Sequence, residues 1–429
     1  MNIFQKTLKK QVFKVASLNS LAILVRVITG FVSSKAIAYF IGPSGMALMG
    51  NLRNFTTIIE NIGILGLQNG IVKTVANYQD EKEEATQFVA NVFWSLFYVV
   101  LALCLVLVFG NSFFGNQIFG SNSNYYYILY FVTFFLPFQV FHLFFIAIIN
   151  GFSLYKKVIK ITIYSTLLGL FISLLLMWKF GIYGALISIS ALSFFQFLFS
   201  GSYFQKLFTV NEILSRNKID FQKLKNLLPL GLMTLFSATI GAMIYIFIRN
   251  LICKTASLEA AGYYEAMLRI SGFYMLFISS LITFYFLPEL SKNKDSFSER
   301  TVTFNYYKTI IPVFLVGLIV LYFSRNLAIQ ILLNKSFLPV SDLFFWQMIG
   351  DFFRAMSLIL GIRFYYKKIV KVYFLTEIIS FGALFLLSYL LIPIYYANGA
   401  VMAYGLTNVL YFIVLCVYFR KFIFLRPNS

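Results

Sequence analysis

From residue 18 onwards the chain is a succession of apolar runs, each long enough to cross a bilayer as a helix and separated by short polar punctuation. A membrane-spanning helix needs about 20 mostly apolar residues. Twelve such runs can be marked, near 18–40, 46–70, 87–110, 125–149, 161–178, 183–204, 227–248, 259–287, 303–323, 340–361, 369–391 and 397–418. Gly42-Pro43-Ser44-Gly45 and the stretch Lys179–Gly184 divide neighbouring runs, because Gly and Pro mark tight turns. Composition agrees: 60% of the residues are apolar and 12% charged, against about 45–50% and about 25% in ordinary soluble domains. A soluble core cannot hide 52 Phe and 28 Tyr without leaving a large apolar shell. The expected class is therefore an all-α polytopic membrane protein. A cytosolic enzyme, a secreted disulfide scaffold and a disordered chain are excluded.

The chain carries 35 Lys+Arg against 15 Asp+Glu, a formal charge of +20. In a soluble protein this would suggest nucleic acid, but here the cations fall on one side. Alternate connections (the N-terminus and those near 71–86, 151–160, 205–226, 288–308, 362–371 and 419–429) hold 25 Lys+Arg, and the opposite set holds 5. The positive-inside rule then puts both termini in the cytoplasm, and the asymmetry leaves little case for nucleic acid. The Lys-rich start (Lys6, Lys9, Lys10, Lys14) precedes a run too long for a signal-peptide core, so an uncleaved first span is expected. No connection exceeds about 25 residues and no phosphate-binding G-x-x-x-x-G-K-[S/T] run is present, so ATP hydrolysis by a P-loop is not expected. Cys104, Cys253 and Cys416 lack metal-ligand spacing and read as small apolar residues. Neither a metal nor another cofactor is expected.

The sequence repeats itself loosely. Tyr155-Lys156-Lys157-Val158-Ile159-Lys160 returns as Tyr366-Lys367-Lys368-Ile369-Val370-Lys371, Gly45 and Arg53 as Gly262 and Arg269, and Gly184-Ala185 as Gly399-Ala400, at offsets between 211 and 217. Two six-helix lobes, residues 1–206 and 207–429, are expected. An even number of spans per copy makes the repeat parallel, as in several secondary transporters that bind substrate between their halves.

Ionisable residues inside spans are costly and mark function by default. They are Arg26 and Lys35 in the first span, Arg53 and Glu60 in the second, Glu265 and Arg269 in the eighth, Asp351 and Arg354 in the tenth, and Glu377 in the eleventh. Arg53 and Glu60 are two turns apart on one face. Glu265/Arg269 and Asp351/Arg354 have spacings at which helical side chains meet. The plainer reading is that these pairs neutralise one another and pin helices. It leaves Arg26 and Lys35, since no carboxylate stands within two turns of either in sequence. A guanidinium donates two parallel hydrogen bonds to phosphate while an ammonium acts as a point charge. Arg26, Lys35, Arg53, Arg269 and Arg354 are therefore candidates for holding a diphosphate. Glu60, Glu265, Asp351 and Glu377 are candidates for coupling or gating. His142 stands alone and reads as a satisfied helix contact, and Asp80-Glu81-Lys82-Glu83-Glu84 as a solvated loop. Asn61, Gln68 and Asn69 are polar candidates for selectivity.

Lys35-Ala36-Ile37-Ala38-Tyr39-Phe40-Ile41-Gly42-Pro43-Ser44-Gly45, Asn51-Leu52-Arg53, Gly70-Ile71-Val72-Lys73 and Ala76-Asn77-Tyr78 resemble the opening of the bacterial polysaccharide (O-antigen) flippases of the multidrug/oligosaccharidyl-lipid/polysaccharide exporter superfamily. Asp342-Leu343-Phe344-Phe345-Trp346-Gln347-Met348-Ile349-Gly350-Asp351 is similar to the pattern in members that carry the lipid-linked repeat unit of enterobacterial common antigen. The resemblance covers essentially the whole chain. It implies a non-enzymatic flippase that moves an undecaprenyl-diphosphate-linked oligosaccharide from the cytoplasmic to the periplasmic leaflet of the inner membrane, by alternating access through a cationic cavity. Beyond the lipid-linked oligosaccharide and the bilayer, it suggests a polysaccharide polymerase and a chain-length regulator as partners. Lys35, Arg53, Asp342 and Asp351 fall within the matching motifs, and Arg26 and Arg354 at positions that are basic in relatives. Glu60, Glu265, Arg269 and Glu377 rest on the charge argument alone. Two alternatives remain at this stage. A cation-coupled drug exporter of the same superfamily would favour acidic residues around an organic cation. A membrane-embedded polymerase or ligase would need a large external loop, and the longest external connection here has about 15 residues.

Overall fold

The computed structural model describes residues 3–120, 123–215, 228–292, 296–367 and 369–423. All regular structure among them is helical, as lipid demands: a helix satisfies its backbone donors and acceptors within its own segment. The long helices are α1 (Ile3–Phe40), α2 (Gly42–Gly63), α4 (Lys82–Phe109), α6 (Ile128–Gly151), α7 (Tyr155–Phe204), α9 (Leu228–Thr255), α10 (Leu258–Leu281), α12 (Ser296–Phe323), α14 (Phe344–Tyr366) and α15 (Val370–Tyr418). Short helices α3 (Gln68–Asn77), α5 (Asn111–Phe119), α8 (Val210–Leu214), α11 (Leu287–Lys292), α13 (Arg325–Leu332) and α16 (Arg420–Ile423) fill the connections. Among the described residues, eight helices are long and apolar enough to span a membrane by length and composition alone. Two of these, α7 and α15, are each two helices merged across a kink. Adding α2 and α10, whose charged residues lower their hydropathy, gives the twelve spans read from the sequence.

The repeat is sharper in structure than in sequence. Helices starting at 42, 82, 111, 128 and 155 have counterparts starting at 258, 296, 325, 344 and 370, offsets of 214 to 216. The kinks fall at Gly181 (φ 54°, ψ −128°) and Tyr396 (φ 53°, ψ −128°), an offset of 215. At Gly184 an added Cβ would lie 1.9 Å from the Leu176 carbonyl oxygen, and at Gly399 2.3 Å from that of Leu391. Each glycine lets the second half of its hairpin turn back against the first. The Tyr-Lys-Lys match, offset 211, is therefore about one helical turn out of structural register, while Gly184/Gly399 is in register.

Tyr396 holds a backbone conformation that its counterpart Gly181 adopts freely, and strain of this kind costs about 1–3 kcal/mol. Tyr396 is also half exposed, so little packing offsets that cost. Tyr396→Gly is expected to raise the thermal inactivation temperature of the purified protein. A lowered temperature would show that the tyrosine ring contributes more than the turn costs.

Several boundaries depart from the sequence reading. The second span ends at Gly63 rather than near residue 70, because Leu65 (φ 54°) and Gly66 (φ 64°) turn left-handed. A Cβ on Gly66 would sit 2.2 Å from the Gly231 carbonyl oxygen, so a side chain there is blocked. The connections 111–124 and 324–339 are not plain loops but contain α5, α13 and 3₁₀ turns. Arg249, counted from sequence among the external-loop cations, lies inside α9 and is 1% exposed. The basic segment 216–227, together with Lys294, Lys368 and Arg426, lies outside the described residues.

The chain divides into two compact units, residues 1–36 with 48–243, and residues 37–47 with 244–429. The first has a core of Ile71, Val75, Val89, Leu96, Leu136, Phe144 and Ile148, all fully buried. Several hydroxyl groups in this unit are quenched by their own helices: Thr133 Oγ1 donates to the Leu129 carbonyl at 2.8 Å and Ser200 Oγ to that of Gln196 at 2.9 Å. Such back-bonding hides a hydroxyl proton without a partner helix. After the sixth span, Thr209 and Glu212 form a reciprocal capping box at the start of α8. The Thr209 backbone N–H holds the Glu212 carboxylate below its ordinary pKa range. The second unit packs around Tyr264, Met267, Tyr306, Phe344, Ile359 and Phe364. Its C-terminal helix is held by Arg363, whose guanidinium lies 3.3 Å from the Phe422 ring centroid and 3.0 Å from Glu299. Both units present large apolar side chains outward, among them Phe109 and Leu101 in the first and Phe323 and Val316 in the second.

Candidate functional site

The first unit holds an open-mouthed cavity of about 400 Å³. Helical periodicity places its walls. From α1 come Arg26, Thr29, Gly30 and Ser33, spaced so that one face looks inward. From α2 come Met49, Arg53, Thr56, Thr57 and Glu60, again a single face. α6 adds Gln139, and the two halves of α7 add Thr166 with Ser173 and Ser188 with Ser193 and Gln196. Ser173 and Ser188 hydroxyls meet across the hairpin at 3.2 Å. Gly169 permits this closure, since a Cβ there would come within 2.2 Å of a Leu192 methyl.

The cavity brings together Arg26, Arg53 and Glu60. Its ionisable groups are two guanidinium groups and one carboxyl group, so its charge is net positive, which favours an anion. No hydrogen-bond or ion-pair partner for the Glu60 carboxylate is found among the described residues. Lys35 is exposed and is not part of these walls. His142 stands just behind, with Nδ1 3.0 Å from both the Gln196 carbonyl oxygen and Ser200 Oγ. It is a satisfied helix contact.

The remaining charged candidates belong to the second unit. Asp351 is fully buried and accepts hydrogen bonds from Ser271 Oγ (2.7 Å), Tyr274 OH (2.5 Å), Gln347 Nε2 (3.3 Å) and Tyr404 OH (2.8 Å). Arg354 donates to the Tyr404 hydroxyl at 3.4 Å. The i,i+3 spacing of Asp351 and Arg354 thus joins them through the tyrosine hydroxyl that stands between them. Arg354 itself is exposed although it sits mid-helix. Glu265 pairs with Arg269 one turn on at 3.6 Å, as its spacing suggests, but its nearer partner is Arg249 at 2.9 Å. Glu377 accepts from Tyr411 OH at 3.3 Å, joining the two halves of α15. Asp342 lies exposed in a 3₁₀ turn.

Sequence reasoning missed Gln139, the hydroxyl-rich faces of α7, and the Arg249 and Tyr404 partners. The signal for the α7 faces is present: Thr166, Gly169 and Ser173 in the first half, then Ser188, Ser193 and Gln196 in the second, fall at roughly helical spacing within otherwise apolar runs.

Twelve spans, a parallel repeat with two lobes and a charged, hydroxyl-lined cavity inside one of them define a multi-pass membrane transporter. The fold is shared with solved structures of that class. An inward-closed structure of the lipid II flippase MurJ superposes with a TM-score of 0.74 at 16% identity, covering 94% of this chain and 87% of that one. An inward-facing MATE multidrug transporter of the MOP superfamily gives 0.73 at 14% identity, covering 94% of each. The chain belongs to the polysaccharide biosynthesis protein family, whose signature matches residues 12–294. The lipid III flippases of Escherichia coli (strain K12) and Shigella flexneri are each 24% identical to it over 394 residues, spanning 92% of this chain and 94% of theirs.

Proposed function

We propose that the protein is a flippase for a lipid-linked oligosaccharide, moving an undecaprenyl-diphosphate-linked repeat unit from the cytoplasmic to the periplasmic leaflet. The observation that carries this reading is the placement of Arg26 and Arg53 in one polar cavity within membrane-spanning helices. A diphosphate crossing bare hydrocarbon meets a penalty of several kcal/mol or more per charge. Guanidinium groups aimed into a wet chamber remove most of that barrier. The lipid III and lipid II flippases among the similar proteins support the same class of cargo. An organic-cation exporter fits less well, because the cavity's fixed charge is net positive. The polyprenyl tail stays in lipid while the polar head passes through the cavity, which opens first to one side and then to the other. The lobes are assigned to residues 1–206 and 207–429. Arg269 and Arg354 are assigned to the anion's path in the second lobe, Lys35 to its entrance, and Glu265, Asp351 and Glu377 to holding the gating helices.

Orientation follows from the cation asymmetry, with both termini cytoplasmic. A cysteine placed at the exposed Asn116 is expected to react with a membrane-impermeant maleimide added to whole cells, and one at the exposed Lys157 only after permeabilisation. The reverse pattern would overturn the direction of transport. The function itself is tested by reconstitution: the purified protein in liposomes should carry a fluorescent polyprenyl-diphosphate saccharide across the bilayer without ATP.

A further inference from the structure

The cavity of the first unit is matched to more than an anion. Most of its hydroxyl groups have already committed their protons. Thr29 Oγ1 donates to the Val25 carbonyl at 2.7 Å, Thr56 and Thr57 to that of Arg53 at 2.8 and 3.0 Å, and Ser188 to that of Ala185 at 2.7 Å. Ser193 donates to the Ser190 carbonyl. A hydroxyl has one proton and two lone pairs, so these groups are left with acceptors to offer. Gln139 adds another. It is 9% exposed, and its Oε1 is buried with no hydrogen-bond partner. The Glu60 carboxylate, also in the wall, accepts only when ionised. Apart from Arg26, Arg53, the glutamine amide nitrogens and the hydroxyls of Ser33 and Thr166, the polar groups of this cavity therefore seek hydrogen-bond donors.

An ionised diphosphate has none to give. It satisfies the guanidinium groups and leaves Glu60 and Gln139 unmet, and a buried polar group left unmet is costly. An organic cation answers Glu60 but meets two guanidinium groups in the same chamber. A saccharide answers both halves at once: beside the diphosphate it brings ring hydroxyls, and in an amino sugar an amide N–H. The volume of about 400 Å³ falls within the range of small-molecule pockets, roughly 300–1,000 Å³.

We propose that the acceptor-rich wall formed by α2, α6 and α7 binds the carrier-proximal sugar of the substrate through that sugar's donors, with Glu60 and Gln139 as the residues that select it. This rests on the flippase reading of the cavity and extends it. Arg26 and Arg53 grip what every lipid-diphosphate saccharide shares, and Glu60 and Gln139 read what distinguishes one saccharide from another. Vicinal hydroxyls, or a hydroxyl beside an amide N–H, suit the two oxygens of a carboxylate. An acidic sugar at this position is disfavoured by Glu60.

The test compares two probes binding to the full chain in detergent: a short-chain polyprenyl diphosphate, and the same lipid diphosphate bearing one N-acetylhexosamine. Wild-type protein should bind the sugar-bearing probe about tenfold to hundredfold more tightly, the worth of one or two hydrogen bonds to buried or charged acceptors. Gln139→Leu and Glu60→Gln should each shrink that ratio at least about fivefold. Both variants should still bind the sugar-free probe, which is the reference against which the ratio is read. The sugar-free probe also reports whether each variant is folded. Equal binding of both probes by wild type, or a ratio untouched by both substitutions, overturns the proposal and leaves the flippase reading standing. Failure of wild type to bind either probe overturns the flippase reading, and this proposal with it.

Discussion

Arg53→Ala is expected to abolish glycan export while leaving the amount of protein in the membrane unchanged. Arg53 lies on the cavity face of α2 together with Thr56, Thr57 and Glu60, and its own carbonyl accepts both threonine hydroxyls. Those bonds belong to the backbone and survive the substitution, so removing the side chain should change charge and donors more than fold. A charge-assisted contact to phosphate is worth about 1.5–3 kcal/mol, or roughly a ten- to hundredfold loss in affinity. The loss is compounded if the bound anion must also be carried across. Arg53→Lys keeps the charge without the bidentate fork and should retain partial export. The exposed Lys254→Ala serves as the neutral control. The readout is surface glycan against intracellular lipid-linked oligosaccharide in a deletion strain carrying each variant. Full export by both Arg53 variants would remove the diphosphate role from this residue.

The largest effect on stability is expected at Glu265. Its carboxylate stands 2.9 Å from Arg249 and 3.6 Å from Arg269, with Arg249 and Glu265 almost completely buried. Removing one partner of a buried pair costs about 3–5 kcal/mol, because the other charge is left uncompensated in low dielectric. The arrangement also predicts an order. Arg249→Ala leaves Glu265 still beside Arg269, whereas Glu265→Ala leaves two guanidinium groups without the carboxylate they share. Glu265→Ala should therefore be the more damaging. The double replacement Arg249→Met with Glu265→Leu removes both charges and should be milder than Glu265→Ala, since apolar groups of similar volume replace buried pairs well. Thermal inactivation of the purified protein reports the order. Equal melting of wild type and Glu265→Ala would show the pair to be dispensable.

The fold was legible from the sequence because its dominant constraint is written there. Runs of about 20 apolar residues are read directly as spans, and the breaks at Gly42–Gly45 and Lys179–Gly184 announce themselves by glycine and proline. The hairpin turn of the second copy has no glycine at its pivot, because Tyr396 occupies the position that Gly181 fills in the first. Only the shared backbone angles show the equivalence. Charges inside spans were equally legible as positions, and three of them, Arg26, Arg53 and Glu60, do share a cavity. Their partners were not, since partners are chosen by tertiary packing. Asp351 looked like half of a pair with Arg354 from spacing alone. Its oxygens are instead filled by side chains from α10, α14 and α15, up to 80 positions away in the chain. Arg249 was hidden for a different reason: a charge near the end of an apolar run reads as the start of a loop, and only its burial against Glu265 shows that the helix continues. The hydroxyl faces of α7 are weak in sequence because serine and threonine can bond back to their own helix and so are tolerated in apolar runs. What distinguishes these is that they look into one space.

Carriage of a lipid-linked saccharide by way of the cavity arginines is measured most directly in liposomes containing the purified protein and a fluorescent polyprenyl-diphosphate saccharide. Translocation is read as the fraction of probe reachable by a membrane-impermeant quencher over time. Wild-type protein is predicted to equilibrate the probe between leaflets without nucleotide, and Arg53→Ala liposomes to match protein-free ones. Translocation at the wild-type rate by Arg53→Ala, or no translocation by the wild type above protein-free liposomes, would contradict a flippase that works through these arginines.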